Sequence, residues 1–145
     1  PVVAADEDLG YLPGDMGSKM EPWAIPMLEF IEKYLTHNQV QSRVYIEPLG
    51  FMRGRTFDNT FVIADEMQNS TPNQMKMLLT RLGANSKMIV LGDLQQSDLH
   101  TRNGLEDIID RVDCIEMDHL EYVNMTYEDV LRHPAVAEVL AVYKN

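Results

Sequence analysis

Acidic and amide side chains follow two apolar segments of this chain, at positions where strands are expected to end. Asp65 and Glu66 come directly after the first segment, and Asp93 and Gln96 follow the second. Adjacent carboxylates suit a Mg²⁺-nucleotide site, in which one supports the metal's water shell and the other positions a water molecule. The amide of Gln96 could hydrogen-bond a phosphate oxygen or a water. The alternative interpretation is a strand that simply ends in solvated acids.

The two apolar segments are predicted to be strands of one parallel sheet. Residues 61–64 and 87–92 are nearly uninterrupted apolar runs, which are typical of strands covered on both faces. A helix over residues 71–82 is predicted between them, from a capping-box start and an apolar stripe at helical spacing. A β-α-β unit brings the carboxyl ends of its strands to one edge, where ligands bind in open α/β sheets. We therefore expect Asp65 and Asp93 to lie near each other.

Further elements are predicted around this unit. Residues 1–18 are expected to be an acidic, extended connection, because glycine and proline interrupt them. The other predicted elements are a helix over 19–37 that stops at His37-Asn38, a strand over 44–47, a helix over 101–112, a strand over 114–117, a short helix from Thr126, and a final helix over 136–143. No boundary divides these elements, so residues 1–145 are interpreted as one partial domain.

The composition favours a globular protein of a reducing compartment. The chain has 145 residues, of which 45% are hydrophobic and 24% are charged, as in ordinary globular domains. Cys114 is the only cysteine, which rules out an internal disulfide, and we interpret it as a core thiol. The chain shows no leader and no apolar run of membrane-spanning length, so a cytoplasmic protein without a membrane partner is expected.

Charge restricts the partners that this chain can bind. The net charge of −11 argues against a broad surface for nucleic acid, which needs clustered lysine and arginine. A local basic groove remains open, because Arg53 and Arg55 flank Gly54 just before the first predicted strand. These arginines could grip the phosphates of a nucleotide or of a nucleic acid. A surface loop with two solvated arginines is the alternative.

The chain resembles the PhoH family of phosphate-starvation-inducible ATPases. The resemblance covers nearly the whole chain in family order and rests on residues 12–15, 52–56, 65–69, 74–77, 79–81, 92–93 and 132–134. Within these segments, Asp-Glu-x-Gln at 65–68 is similar to the Walker B motif, and Gly-Asp-x-x-Gln at 92–96 to the sensor motif that follows it. The resemblance implies an α/β fold, a P-loop NTPase core of the RecA- or helicase-like kind with a mostly parallel sheet.

The same resemblance implies roles for individual residues in Mg²⁺-dependent ATP hydrolysis. Asp65 would hold Mg²⁺ through its water shell, and Glu66 would orient or activate the attacking water. The polar groups that bind the nucleotide and sense its γ-phosphate would be Gln68, Asp93 and Gln96. One arginine would neutralise charge on the transferring phosphoryl group, within its own subunit or a neighbour's, and the candidates are Arg53, Arg55 and Arg132. Similarity to helicase cores suggests that the energy of ATP hydrolysis is used in remodelling RNA or DNA.

One motif of the family is missing from this sequence. The phosphate-binding loop, Gly-x-x-x-x-Gly-Lys-Ser/Thr, does not occur among the 145 residues. We expect either a truncation that removes the first strand and this loop, or a natural short form without catalysis. Two alternatives to an ATPase therefore stay open. One is an inactive module for oligomerisation or interaction, for example in a ring of like subunits, and the other is a nucleic-acid-binding protein that uses the Arg53-Gly54-Arg55 loop.

Overall fold

The structure, a computed structural model, describes residues 16–126 and 129–142. Five helices and two strands occur there: α1 Met16–Ile31, α2 His37–Arg43, β1 Phe61–Ala64, α3 Pro72–Leu79, β2 Lys87–Val90, α4 Gly104–Val112 and α5 Pro134–Val142. The chain divides into two compact units between Arg111 and Val112. Most of the predicted acidic connection lies outside the described residues, although its last three residues begin α1.

The first unit is built around a parallel pair of strands. β1 and β2 pair in register from Phe61 opposite Lys87 to Ala64 opposite Val90, and α3 connects them. A strand, a helix and a parallel strand in this order form a β-α-β unit, whose two strands end at the same edge. An α/β structure with a small parallel sheet is therefore confirmed.

One expectation about this sheet is wrong, because the described residues cover only one of its faces. The core consists of Met52, Met67, Met75, Leu78 and Leu105, and Ala64, Met88 and Val90 pack against it. The opposite face carries Phe61 and Ile63, which are 59% and 46% exposed, and Ile89, which is 37% exposed. α3 and α4 supply core residues to the covered face alone. The apolar strand residues that point to the other face therefore meet solvent.

The helix between the strands follows the predicted capping signal. Thr71 precedes α3, and its side-chain oxygen accepts a hydrogen bond from the Gln74 backbone N–H at 3.3 Å. The Gln74 amide oxygen in turn accepts the Thr71 N–H at 2.8 Å, which completes the capping box. α3 ends at Leu79, before the predicted residue 82, because Leu82 pairs in a parallel bridge with Phe57 instead.

Two predictions about the segment before β1 are wrong. His37 begins α2 rather than ending a helix, because Thr36 and Gln39 form a second capping box. This is the same signal as at α3, and α1 has already ended at Ile31. The predicted strand over residues 44–47 is absent: Val44 caps α2 by donating its N–H to the Val40 carbonyl, and residues 44–47 form no ladder.

The strand predicted in the second unit is also absent. Residues 114–117 were predicted to be a strand that contains a buried Cys114, but they pair with neither described strand, and Cys114 is exposed. Alternating apolar residues become a strand only where another strand is available to pair. The predicted helix start at Thr126 retains its cap, because the Thr126 N–H donates to the Asp129 carboxylate at 2.6 Å and thereby lowers the pKa of Asp129. Two residues of that short helix and Tyr143 of the last one lie outside the described residues.

Candidate functional site

Two chain segments leave the sheet side by side at its carboxyl edge. Beyond the strands, the Leu91 N–H donates to the Ala64 carbonyl at 2.8 Å, and the Met67 N–H donates to the Leu91 carbonyl at 3.0 Å. This continued pairing keeps the residues that follow β1 close to those that follow β2. The structure therefore brings Asp65 and Glu66 to the same edge as Asp93.

The backbone turns sharply at Glu66. Its φ of 58° and ψ of 36° lie in the left-handed region, which is uncommon for a residue with a side chain. Asp65 supports the turn, because its Oδ1 accepts the Glu66 N–H at 3.0 Å. Such a conformation costs on the order of 1–3 kcal/mol and persists where surrounding contacts hold it. The turn leads from β1 into a 3₁₀ helix, Met67–Asn69, and leaves Glu66 exposed at the edge.

The side chain of Gln68 joins the two segments. It is buried, with 1% of its surface exposed. Its Nε2 donates to Glu66 Oε2 at 2.5 Å and to the Gln96 carbonyl at 3.5 Å, while its Oε1 accepts the Asp93 N–H at 3.2 Å. One amide group thus links the acid after β1 to the backbone after β2.

The segment after β2 is shaped around this amide. A Cβ atom at Gly92 would lie 2.6 Å from Gln68 Oε1, so the residue at 92 has no room for a side chain in this arrangement. The Asp93 carboxylate caps the following 3₁₀ helix, since its Oδ1 accepts the Gln95 N–H at 2.9 Å. Its Oδ2 accepts Nε2 of Gln96 at 2.8 Å, which holds that side chain at the exposed edge.

Several supporting residues were not identified from the sequence. The Ser70 hydroxyl is fully buried and donates to the Met67 carbonyl at 2.6 Å, and Asn69 Oδ1 accepts the Asp98 N–H at 2.8 Å. Asn103 is 5% exposed and caps α4 by accepting the Glu106 N–H at 2.8 Å. An asparagine just before a helix is a recognised N-cap signal, so Asn103 could have been found from the sequence.

The predicted arginine loop lies away from these acids. The Arg55 carbonyl accepts a hydrogen bond from Arg81 at 3.3 Å. The Arg55 guanidinium forms an ion pair with Glu47 and lies 5.8 Å from the centre of the Phe57 ring. Because β1 starts after Phe57 and runs toward Asp65, Arg55 lies at the amino edge of the sheet. Arg53 is exposed in the same loop, where Gly54 adopts a φ of +82°.

The described contacts therefore bring the acids and glutamines together but not the arginines. Neither Arg53 nor Arg55 forms a described ion pair with Asp65, Glu66 or Asp93. The remaining predicted arginine, Arg132, is exposed within the second unit.

The electrostatic character of the carboxyl edge is acidic. No salt bridge among the described residues involves Asp65, Glu66 or Asp93. The carboxylates that form salt bridges there are Glu32, Glu47, Asp107 and Asp110. Within the same residues, no group of three or more His, Cys, Asp and Glu is arranged to hold a metal ion by itself. Mg²⁺ commonly binds through one or two carboxylates together with waters and substrate phosphates, and Asp65 fits that mode of binding.

Comparison with known proteins gives a consistent result over the whole chain. The family described as PhoH-like protein matches residues 1–144. The chain is 41% identical to a PhoH-like protein of Bacillus subtilis over 153 residues and 41% identical to Protein PhoH of Escherichia coli K12 over 152 residues. A PhoH-like protein of Synechocystis is 38% identical over 152 residues. These matches cover 99%, 99% and 100% of this chain but only 46%, 42% and 46% of the relatives, so the chain spans less than half their length.

Proposed function

The chain belongs to the PhoH-like family, and from that premise we propose that the intact protein hydrolyses ATP to ADP and phosphate with Mg²⁺. The proposed core is a P-loop NTPase of the RecA- or helicase-like kind, in which β1, α3 and β2 supply the acidic half of the nucleotide site. One observation carries the proposal: Glu66 and Asp93, from the ends of two parallel strands, are hydrogen-bonded to the same buried amide of Gln68. Such strand ends are the common position of ligand sites in α/β sheets.

In the proposed reaction, a water molecule attacks the γ-phosphorus of ATP. Asp65 would hold Mg²⁺ through its water shell, and the bound metal would supply positive charge for the phosphate oxygens. Glu66 orients the attacking water and accepts its proton, as the new P–O bond forms and the bond to the bridging oxygen of ADP breaks. Gln96 is the exposed amide for a hydrogen bond to the γ-phosphate, held in place by Asp93.

The proposal concerns the full-length protein. A phosphate-binding loop, which supplies a cradle of backbone N–H groups and a lysine, does not occur in these 145 residues. The curated relatives are more than twice as long as this chain, since the matches cover 42–46% of them. The carboxylates of this chain would then complete a site whose phosphate-gripping part comes from another segment.

We propose that the arginine loop of one subunit contacts the nucleotide bound by a neighbouring subunit. Arg55 lies at the amino edge of the sheet, whereas Glu66 lies at the carboxyl edge, so this loop would serve the nucleotide of a second subunit in a ring. Coupling to RNA or DNA remodelling would use the same local basic loop, because the chain as a whole carries a net charge of −11. Arg132 is the remaining candidate for the arginine that neutralises the phosphoryl charge.

We also propose a cytoplasmic location. The single cysteine suits a reducing compartment. No helix within the described ranges combines the length and the apolar character needed to cross a membrane.

The test is a measurement of phosphate release by the full-length protein with and without Mg²⁺. We expect Glu66→Gln to lower kcat by roughly 10²–10⁴-fold, the usual contribution of a general base, and to leave the calorimetric affinity for ATP nearly unchanged. Glu29→Gln, at an exposed position on α1, is the matched control and should retain the parent kcat. A parent without Mg²⁺-dependent turnover would refute the proposed activity, and an unaffected Glu66→Gln would remove only the role of Glu66.

An inactive interaction module is the second candidate, and the uncovered sheet face favours it. Phe61, Ile63 and Leu91 expose 59%, 46% and 45% of their surfaces on or next to this face. Exposed apolar patches commonly mark surfaces for association. The isolated 145-residue chain should then self-associate in sedimentation without nucleotide, and Ile63→Lys should weaken that association. A monomer at micromolar concentration would contradict the module.

A further inference from the structure

We propose that Gln68 is a positioning residue, which holds the Glu66 carboxylate and couples it to residues 92–96 without touching the nucleotide. The inference deepens the proposed ATP hydrolysis and rests on it. It departs from the role that family resemblance implies for Gln68, namely direct sensing of the γ-phosphate.

Both ends of the Gln68 amide already form hydrogen bonds within the protein. Only 1% of the residue is exposed, its Nε2 has two acceptors, and its Oε1 accepts the Asp93 N–H. A direct contact with phosphate would require the residue to leave this pocket and would leave the Asp93 N–H without its acceptor. Gln96, which is exposed at the same edge, can reach a phosphate without that loss.

The Glu66 carboxylate needs a support. Its backbone is left-handed and its side chain is exposed, so packing alone does not select one orientation for the carboxylate. The hydrogen bond from Gln68 Nε2 to Glu66 Oε2, at 2.5 Å, involves a charged acceptor and is of the stronger kind. A general base works only within hydrogen-bond reach of the proton that it takes. A displacement of about 1 Å can lower the rate on the order of 10²-fold.

Gln68 also couples the two strand ends. The same amide that binds Glu66 also binds the backbone at Asp93 and Gln96. Gly92 makes room for it, because a Cβ there would lie 2.6 Å from Gln68 Oε1 and 3.1 Å from the Gln68 backbone nitrogen. A shift of residues 92–96 on nucleotide binding would therefore move the Glu66 carboxylate through Gln68.

The test is steady-state ATP hydrolysis by the full-length protein with Gln68→Met, which keeps the side-chain length but removes both hydrogen-bonding groups. We expect kcat to fall roughly 10–100-fold, with KM and the calorimetric affinity for ATP within about threefold of the parent. Ser86→Ala is the matched control, since it also removes a partly buried side-chain hydrogen bond, to the Phe57 carbonyl, but at the opposite edge of the sheet from Glu66. It should retain the parent kcat at a temperature where it is folded.

Each outcome decides a separate point. Absence of turnover in the parent refutes the proposed function and the role of Gln68 with it. Turnover in the parent with an unchanged kcat in Gln68→Met overturns the positioning role alone. A raised KM for ATP with kcat unchanged shows that Gln68 binds nucleotide, which also overturns it. If Gln68→Met does not fold, Gly92→Ala perturbs the same amide from the opposite side and is judged by the same division between kcat and KM.

Discussion

Gly104→Ala, which adds one methyl group, tests how closely α4 approaches the turn after β1. Gly104 is buried, and its N–H donates to the Ser70 carbonyl at 2.6 Å. A Cβ at this position would lie 2.6 Å from both Ser70 Oγ and the Thr71 carbonyl oxygen, and 2.8 Å from Met75 Cβ. Two of these three neighbours belong to the backbone or to a Cβ atom, so they cannot rotate away. α4 would have to move instead.

The expected loss of stability for Gly104→Ala follows from these contacts. Overpacking in a close-packed interior costs about 1–3 kcal/mol. Weakening the hydrogen bond to Ser70 adds about 1 kcal/mol, and the preference of alanine over glycine in a helix offsets at most about 1 kcal/mol. The free energy of unfolding should therefore fall by about 1–3 kcal/mol. With a urea m-value of about 1–3 kcal/mol/M, the unfolding midpoint drops by roughly 1 M.

The assay is urea unfolding of the 145-residue chain, followed by circular dichroism. Gly50→Ala is the matched control, because a Cβ at Gly50 meets no atom within 4 Å and the residue has no positive φ. Its midpoint should give a free energy of unfolding within about 0.5 kcal/mol of the parent. A midpoint of Gly104→Ala equal to that of Gly50→Ala would refute the close approach of α4 to Ser70.

Two further predictions concern a helix cap and a titrating pair. Thr71→Ala should lower the free energy of unfolding by about 1 kcal/mol, because the Thr71 hydroxyl accepts the Gln74 N–H, whereas Thr71→Ser should retain the parent midpoint; equal midpoints for both variants would contradict the cap. A hydrogen bond from the Arg111 side chain, aided by the charges of Arg111 and Arg102, holds the pKa of Asp107 below its ordinary value. This contribution is present above the unfolded pKa of about 3.9 and is lost as the pH falls through the lower folded pKa. Asp107→Asn should therefore have a lower urea unfolding midpoint than the parent at pH 6. The difference between the two midpoints should be smaller at pH 2, and an equal difference at both pH values would contradict this reasoning.

Local signals in the sequence predicted a substantial part of the structure. The Thr71 cap and the stripe of apolar residues after it located α3, because capping and helical periodicity depend on residues three or four positions apart. The apolar runs located β1 and β2, and a strand-helix-strand order implies a parallel pair. The same reasoning failed at residues 44–47 and 114–117, where apolar residues alternate but neither described strand pairs with them.

The sequence by itself determined the chemistry that is present: two carboxylates after β1, a third after β2, and glutamines beside them. Only the tertiary structure decided how these groups are joined. The hydrogen bond from the Asp93 N–H to Gln68 spans 25 positions, and that from Arg81 to the Arg55 carbonyl spans 26 positions. Spacing in the chain does not encode which side chains meet over such separations, because strand register and helix packing set their directions. For that reason the sequence grouped Arg55 with the acids, while the fold places it at the opposite edge and puts the buried amide of Gln68 between Glu66 and Asp93.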